Sequence, residues 1–163
     1  MSFLVRRAEP ADLGLVGDLT AHAYLADDLL DHDDDYLHEL RDAATRADQA
    51  TVLVAVEEGR VLGSITLATP GSSFAEIAQD DEWELRMLAV HPAARGRGVG
   101  ELLLRAAVDA GLASGARAVV LSTLPAMVAA QRMYDRVGLY RRPERDWAVE
   151  GYSMLVYATD PPA

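Results

Sequence analysis

The sequence contains no cysteine, and it also lacks lysine and asparagine. Without cysteine the chain has no disulfide, no thiol nucleophile and no thiolate metal site, so covalent cysteine catalysis is excluded. Without lysine it has no P-loop, because that phosphate-binding motif requires a lysine after its glycines. Isoleucine occurs only at Ile65 and Ile77, whereas alanine, arginine, aspartate and glycine are abundant. This composition is typical of a GC-rich coding sequence.

Hydrophobic residues make up 50% of the 163 residues, which is enough for one sizeable core. We therefore expect a single domain that spans residues 1–163. No apolar run approaches the ~20 residues of a membrane-spanning helix, and the amino terminus lacks the pattern of a signal peptide. The sequence thus predicts a cytosolic protein without a membrane partner.

The formal net charge is −11 at pH 7. Such an acidic chain disfavours a nucleic-acid partner, because phosphate backbones are bound by clustered basic side chains. The charge would suit a cationic small substrate, although coding bias together with solubility is the simpler explanation. His22, His32 and His38 have no ligand-like arrangement, and His91 more simply caps the end of a strand, so no metal site is predicted.

Strands and helices alternate along the chain, which predicts an α/β fold with a mixed sheet. A hairpin is expected around Glu57-Glu58-Gly59-Arg60. The predicted strands cover residues 3–7, 52–56, 61–67, 83–90, 118–121 and 152–157. The predicted helices run from Pro10 to about Tyr24, from Tyr36 to Ala47, from Gly98 to Gly111 or Gly115, and from a cap at Ser122 or Thr123 to Gly138.

The predicted strand at residues 83–90 changes its pattern midway. Glu84 and Arg86 alternate with apolar residues, but the alternation stops at Leu88-Ala89-Val90. This break indicates either a β-bulge or burial of both strand faces, and periodicity alone does not separate the two. Under both interpretations His91-Pro92 ends the strand.

A glycine-rich loop connects this strand to the next helix. Its sequence, Arg95-Gly96-Arg97-Gly98-Val99-Gly100, places glycines and arginines directly before a helix start. Glycines allow tight turns, and the unsatisfied N–H groups of a first helical turn bind anions. We therefore predict a phosphate or pyrophosphate site. A dinucleotide-binding fingerprint does not fit, because Glu101 and Leu103 stand where its third glycine belongs.

The loop, together with the Leu-Ala-Val-His-Pro segment before it, closely resembles the acetyl-CoA-binding segment of the Gcn5-related N-acetyltransferases. The pattern of that segment is Arg/Gln-x-x-Gly-x-Gly/Ala. A second signature of the family is similar to the segment from Ala130 through Tyr134 to Gly138, with Leu139 in place of the usual phenylalanine. The order of predicted strands and helices matches as well. The resemblance implies the acyl-CoA N-acyltransferase fold, a mixed and mostly antiparallel sheet flanked by helices.

The resemblance also implies how acetyl-CoA binds. In that family the backbone of the bulged strand pairs with the pantetheine arm, so Leu88, Ala89 and Val90 take this role by position. The Leu88 N–H or a neighbouring one is the expected donor to the oxyanion. The pyrophosphate would be held by backbone donors and two guanidinium groups. The residues concerned are Arg95, Gly96, Arg97, Gly98, Val99 and Gly100.

Two side chains match catalytic positions of family members. Glu84 matches the general base that some members keep and that is reached through water; alternatively, it is a solvated residue or a partner of Arg86. Tyr134 matches a tyrosine that donates a proton to the CoA sulfur; alternatively, it only packs in the core. We expect the catalytic role for Tyr134 and leave both roles open for Glu84.

The function that the resemblance implies is acetyl-CoA-dependent N-acetylation of a primary amine on a small molecule or peptide. Transfer would be direct, since there is no cysteine to carry an acetyl group. The alternative is a non-catalytic acyl-CoA-binding or sensor module on the same fold. The sequence does not identify the acceptor. Many family members form homodimers, so the resemblance allows a homodimer, but the sequence does not determine the oligomeric state.

Three features depart from the family pattern or have no assigned role. Met127 stands where many members have an asparagine that contacts pantetheine. The acidic stretch from Asp27 to Asp35 lies where the family shapes its acceptor pocket, and it either attracts a cationic amine or is a solvated loop. The stretch from Pro143 to Trp147 either covers that pocket or contacts a dimer partner, and Trp147 could equally belong to the core.

Overall fold

The computed structural model describes residues 3–26 and 35–162. Within these residues the chain forms strands and α-helices that are joined in places by short 3₁₀ turns. The strands are β1 (Leu4–Arg7), β2 (Thr51–Glu57), β3 (Arg60–Ala68), β4 (Glu82–Val90), β5 (Ala118–Thr123), β6 (Tyr140–Arg141), β7 (Trp147–Val149) and β8 (Tyr152–Ala158). The helices are α1 (Leu13–Ala26), α2 (Tyr36–Arg41), α3 (Ala43–Gln49), α4 (Val99–Ala113) and α5 (Val128–Val137).

The strands form one mixed sheet in the order β1-β2-β3-β4-β5-β8-β6, with β7 paired to β8. The pairing of β4 with β5 is parallel, and the other pairings in the described residues are antiparallel. This architecture confirms the predicted α/β class and the mostly antiparallel sheet. The predicted strands are present near their expected boundaries, whereas the sequence pattern does not predict the short strands β6 and β7.

Helices pack against both faces of the sheet. Adjacent residues of a strand point to opposite faces, so neighbouring residues of β2 belong to different cores. On one face, α4 contributes Leu103 and Leu104 to a core that includes Ala55 of β2. On the other face, α1 contributes Val16 to a core that includes Val54 of the same strand. The sheet therefore forms the middle layer of the described structure.

The parallel strands β4 and β5 separate partway along their length. Their paired register ends where Leu85 lies opposite Leu121. β4 then continues beside β3 to Val90, and β5 continues beside β8 to Thr123. Among the described residues, no strand pairs with the β5-facing edge of β4 beyond Leu85. The separation leaves backbone N–H and C=O groups at this edge for another partner.

A β-bulge in β4 lies directly after this separation. Met87 and Leu88 lie opposite the single residue Ile65 of β3. Met87 has a φ of +55°, a left-handed conformation that is uncommon for a residue with a side chain. After the bulge, burial alternates again, with Ala89 buried and Leu88 and Val90 partly exposed. The break in the sequence pattern therefore reflects a bulge and not burial of both faces.

The predicted single helix from Tyr36 to Ala47 is wrong, because the chain forms two helices that meet at Asp42. The Asp42 carboxylate accepts a hydrogen bond from the Thr45 N–H at 3.1 Å, as an N-cap residue does. Apolar residues keep their helical spacing across the break, so periodicity does not locate it.

The side chain of Arg46 on α3 is fully buried and binds the end of α2. Its Nη1 donates to the carbonyl oxygens of Glu39 and Leu40, both at 2.8 Å. Its Nη2 donates to the Thr20 hydroxyl of α1 at 3.5 Å. The last carbonyl oxygens of a helix lack partners within the helix, so a guanidinium group stabilises this end. These contacts fix the position of α2.

The substitution Gly17→Ala is expected to destabilise the protein by about 1–3 kcal/mol, because it overpacks the contact between α1 and α2. A Cβ at Gly17 would lie 2.1 Å from the carbonyl oxygen of Arg41. Chemical denaturation measures the free energy of unfolding. Gly14→Ala on the same helix is the matched control, since a Cβ there meets nothing within 4 Å. Equal stability of the two variants would contradict the packing argument.

Candidate functional site

A cleft of about 870 Å³ lies where β4 and β5 separate. Residues of α1, α2, α5 and the β7–β8 hairpin line it together with the two strands. Among the predicted site residues, Glu84, Leu88 and Tyr134 line this cleft. Ala89 and Val90 continue β4 beyond it, and residues 95–100 form the turn into α4. The candidate catalytic groups and the bulged backbone therefore share one cleft.

Glu84 lines the cleft but is only 1% exposed. Its Oε1 accepts hydrogen bonds from three consecutive backbone N–H groups, those of Glu76 and Ile77 at 2.8 Å and that of Ala78 at 3.0 Å. Glu84 is thus not a solvated residue, and the ion pair of Arg86 is made with Glu76 at 3.1 Å. Its role as a base stays a prediction.

Burial raises the pKa of the Glu84 carboxyl, while the three amide hydrogen bonds and the charge of Arg86 act against that rise. A carboxylate with a raised pKa is a better proton acceptor near neutral pH than an exposed one. The same hydrogen bonds tie Glu84 to the loop at residues 76–78, so this side chain also has a structural role.

Tyr134 on α5 is 7% exposed, and it both lines the cleft and packs in the core. Its ring centroid lies 5.2 Å from that of Tyr157. Burial raises the pKa of Tyr134 to about 12, although a hydrogen bond with the Thr123 side chain acts in the opposite direction. The phenol therefore stays protonated at neutral pH. The two interpretations of this residue, proton donor and core residue, are compatible at this position.

The start of α5 differs from the prediction. The helix begins at Val128 after Met127, and not after Ser122 or Thr123, which belong to β5. Met127 lines the cleft, and its sulfur accepts a hydrogen bond from the Thr123 hydroxyl at 3.8 Å. A thioether offers no N–H donor, so the side chain at this position provides no amide contact to a ligand.

The glycine-rich loop turns directly into α4, as the sequence predicts. Gly96 has a φ of +76° and Gly98 one of +82°, conformations that favour glycine. Gly98 is the N-cap residue of α4 and has no side chain to occupy the N–H groups of the first turn. A Cβ at either glycine would meet nothing within 4 Å. Space therefore exists for an anion next to this backbone.

The two arginines of the loop differ in their surroundings. Arg97 forms an ion pair with Glu57 at 2.8 Å, and its guanidinium lies 5.0 Å from the ring centroid of Phe3. Arg95 is exposed. The expectation that both guanidinium groups neutralise a diphosphate stays a prediction. For Arg97, it requires that the guanidinium be shared with Glu57.

Arg86 and Tyr36 line the cleft, although the sequence does not indicate either as a site residue. Arg86 donates to the Tyr36 hydroxyl at 2.7 Å and to the Phe74 carbonyl oxygen at 3.1 Å. The spacing of Arg86 from Glu84 is a signal in the sequence, because residues two apart on a strand share a face. Tyr36 offers no such signal, since it is separated from Arg86 by 50 residues of chain.

The described lining of the cleft is rich in carboxylates. Arg86 is the one arginine in that described lining, and its charge is paired with Glu76. Of the acidic stretch at residues 27–35, Asp35 reaches the cleft, and residues 27–34 lie outside the described residues. The carboxylates that line the cleft are Asp35, Glu39, Glu76, Glu84 and Glu150.

The stretch from Pro143 to Trp147 borders the same cleft. Trp147 lines it, and the indole N–H donates to the Ser122 hydroxyl at 2.9 Å. Over residues 3–26 and 35–162, no three histidine, aspartate or glutamate side chains are arranged to hold a metal ion. None of the helices in those ranges combines the length and the apolar character required to cross a membrane.

The sequence model of the acetyltransferase (GNAT) family matches residues 18–139. The chain therefore belongs to the GNAT family of acetyltransferases, as the loop at residues 95–100 and the helix with Tyr134 predict. Acetyl-CoA is the co-substrate of this family. No curated protein is similar enough in sequence to match the chain.

Solved structures of acetyltransferases share the fold. The yncA acetyltransferase of Salmonella typhimurium, solved with acetyl-CoA, is 21% identical with a TM-score of 0.74, over 98% of this chain and 95% of that chain. A histone acetyltransferase HPA2-related protein of Corynebacterium glutamicum is 23% identical with a TM-score of 0.76, and the match covers 100% of this chain and 98% of that chain. An N-acetyltransferase of Staphylococcus aureus is 18% identical with a TM-score of 0.75, and the match covers 98% of this chain and 99% of that chain. The predicted acyltransferase fold is thereby confirmed.

Proposed function

We propose that this acetyltransferase transfers the acetyl group of acetyl-CoA directly to a primary amine of a small molecule or peptide. The observation that carries this proposal is that Glu84, Leu88 and Tyr134 line one cleft, at the point where β4 separates from β5. A carboxylate with a raised pKa and a protonated phenol are the two groups that amine acetylation uses, a proton acceptor and a proton donor. We also propose that residues 1–163 act as one N-acetyltransferase domain. Location in the cytosol stays a prediction.

The residues present suit acetyl-CoA as the co-substrate. The β5-facing edge of β4 is open beyond Leu85, so the backbone of Leu88, Ala89 and Val90 would pair with the pantetheine arm. The turn at Gly96 and Gly98 presents backbone N–H groups at the start of α4, where the pyrophosphate would bind. The bound co-substrate supplies an activated acetyl thioester.

We assign the proton transfers to Glu84 and Tyr134 because both side chains line the cleft. Glu84 would accept a proton from the amine, through a water molecule, as the new N–C bond forms. The Leu88 N–H would donate to the carbonyl oxygen as negative charge develops on it. Tyr134 would donate its proton to the departing sulfur as the C–S bond breaks, and exchange with water would then restore both side chains. The net products are the acetylated amine and free CoA.

The charges around the cleft favour an acceptor that carries positive charge. Carboxylates outnumber arginine in the described lining, and the Arg86 guanidinium is already bound by Glu76 and Tyr36. An acceptor carboxylate would therefore find no unpaired cation in that lining. The rings of Tyr24 and Tyr152 also line the cleft and can attract an ammonium group. We expect diamines and polyamines to have kcat/KM values about tenfold or more above those of α-amino acids.

An acceptor screen that follows release of the free CoA thiol tests both the reaction and this preference. The panel contains polyamines, amino-sugar antibiotics, amino acids and lysine-containing peptides, and calorimetry measures acetyl-CoA binding in parallel. Release that depends on an amine supports acetyl transfer. Tight binding of acetyl-CoA without release for any amine class would favour the alternative, a non-catalytic acyl-CoA sensor. Preference for α-amino acids would contradict the charge argument while leaving the acetyltransferase intact.

A further inference from the structure

The loop at residues 76–79 is bound to β4 through side-chain carboxylates. Four consecutive N–H groups point to two glutamates: those of residues 76, 77 and 78 to Oε1 of Glu84, and that of Gln79 to Oε1 of Glu82 at 3.0 Å. Glu82 and Glu84 lie two residues apart on the strand and are both buried. The position of the candidate base and the conformation of this loop are therefore linked.

Arg145 connects this loop to a distant part of the chain. It lies in a short 3₁₀ turn between β6 and β7, and it donates to both carboxylate oxygens of Glu82 at 2.9 Å. The same guanidinium donates to the carbonyl oxygen of Ile77 at 3.0 Å. Ile77 is also the middle residue of the three whose N–H groups bind Glu84. Two-point binding by a guanidinium fixes orientation as well as distance.

We infer that Arg145 is a positioning residue for acetyl transfer: by binding Glu82 and Ile77 it fixes the loop whose amides hold the Glu84 carboxylate in the cleft. This inference rests on the proposed function, in which Glu84 is the base. Arg145 touches none of the reacting groups itself. Because it also precedes Trp147 by two residues, it joins the loop to the β7–β8 wall of the same cleft.

The inference predicts a direction of change for Glu84. Burial raises the pKa of this carboxyl and the amide hydrogen bonds lower it, so a loop that still covers Glu84 but, without Arg145, no longer aligns its N–H groups leaves the burial effect less opposed. The pKa of Glu84 should therefore rise when Arg145 is replaced. The other charged or titratable groups that face the cleft around Glu84 are Arg86, Glu76, Asp35 with Tyr36 and Glu39, Tyr24, Tyr134, and Glu150 with Tyr152.

The test is an NMR titration of Glu84 in protein labelled with ¹³C at the glutamate carboxyls, with Glu84→Gln used for assignment. Arg145→Gln is expected to raise the titration midpoint by about 1 pH unit, and Arg145→Lys, which keeps the charge, by less. Arg142→Gln is the matched control, since Arg142 lies beside the same turn, is equally buried at 15% side-chain exposure, and pairs with Glu144 and Asp160 instead. It should leave the midpoint unchanged.

Kinetics then relate the titration to the reaction. In Arg145→Gln the acid limb of kcat/KM for the amine should move to higher pH together with the Glu84 midpoint, while the KM for acetyl-CoA stays the same. If Arg145→Gln does not fold, Arg145→Lys carries the test. The inference is overturned if the titration midpoint of Glu84 is unchanged in a folded Arg145 variant. It is also overturned if that midpoint shifts but the acid limb of the kcat/KM profile does not. A protein that acetylates no amine refutes the proposed function, but the titration still decides whether Arg145 positions this carboxylate.

Discussion

Replacement of Tyr134 by phenylalanine is expected to lower kcat by about 10²- to 10⁴-fold at saturating acetyl-CoA and amine, the usual contribution of a positioned proton donor. The departing sulfur needs a proton, and the Tyr134 phenol lines the cleft in its neutral form. The ring itself remains in Tyr134→Phe, so core packing and the affinity for acetyl-CoA should change little. Steady-state kinetics measure kcat, and calorimetry measures the dissociation constant of acetyl-CoA.

Tyr157→Phe provides the matched control for this substitution. Tyr157 is also buried, and its ring packs against that of Tyr134, but it does not belong to the cleft lining. Loss of its hydroxyl should leave most of the turnover intact. Equal kcat values for wild type and Tyr134→Phe would remove Tyr134 from the mechanism and leave it as a core residue.

The raised pKa of Tyr134 also predicts how kcat depends on pH. Burial raises this pKa to about 12, so the phenol keeps its proton well above the pH at which an exposed tyrosine ionises. The kcat profile should therefore show no loss of activity around pH 10 that depends on Tyr134. An alkaline limb near pH 10 that disappears in Tyr134→Phe would contradict the raised pKa. Rate measurements on both proteins across that range check this.

Local patterns predict the parts of the site that consist of backbone. The turn at Gly96 and Gly98 follows from glycines placed before an apolar helical stripe, and the structure has this turn. The bulge at Leu88 follows from a break in alternation, although the pattern alone also allows burial on both faces. These features depend on neighbouring residues, so a single sequence contains the information for them.

Contacts between distant side chains could not be predicted in this way. The sequence allows Glu84 to be a general base, a solvated residue or a partner of Arg86, but it does not predict that Glu84 binds loop amides, which it does because residues 76–78 fold back over β4. Arg145 reaches Glu82 across 63 residues. Arg46 is a charged residue that becomes fully buried by binding the end of α2. Each of these contacts is created by tertiary structure, which periodicity does not encode.

The hydrogen bonds of Glu84 stabilise both its buried carboxylate and the loop at residues 76–78. Burial alone would cost a carboxylate much of its hydration, and three backbone N–H groups replace part of it. The loop gains a fixed conformation from the same bonds, and Glu76 on that loop in turn holds Arg86. A single residue of β4 therefore organises one wall of the cleft, and proton transfer by the same residue is the role that we propose for it.

Glu84→Gln is expected to lower kcat/KM for the amine by about 10²-fold at neutral pH, because the amide cannot accept the amine proton. The defect should diminish as pH rises, since the amine then loses its proton to water before it binds. If Glu84 is the base, the wild-type pH profile should have an acid limb from protonation of Glu84, whose pKa is raised by burial, and the variant should lack this limb. Rate measurements from acidic to alkaline pH with the best amine of the acceptor screen provide the comparison.

Two further variants separate the chemical role of Glu84 from its structural role. The side chain introduced by Glu84→Gln retains an oxygen that can accept from the loop amides, whereas Glu84→Ala leaves three N–H groups without their acceptor. The alanine variant should therefore also lose stability, by about 1–3 kcal/mol or more. Glu144→Gln, which removes a surface carboxylate paired with Arg142, should resemble wild type in both rate and stability. If Glu84→Gln kept the wild-type acid limb and rate, Glu84 would be an anchor of the loop only, and the proton would have to leave the amine by another route.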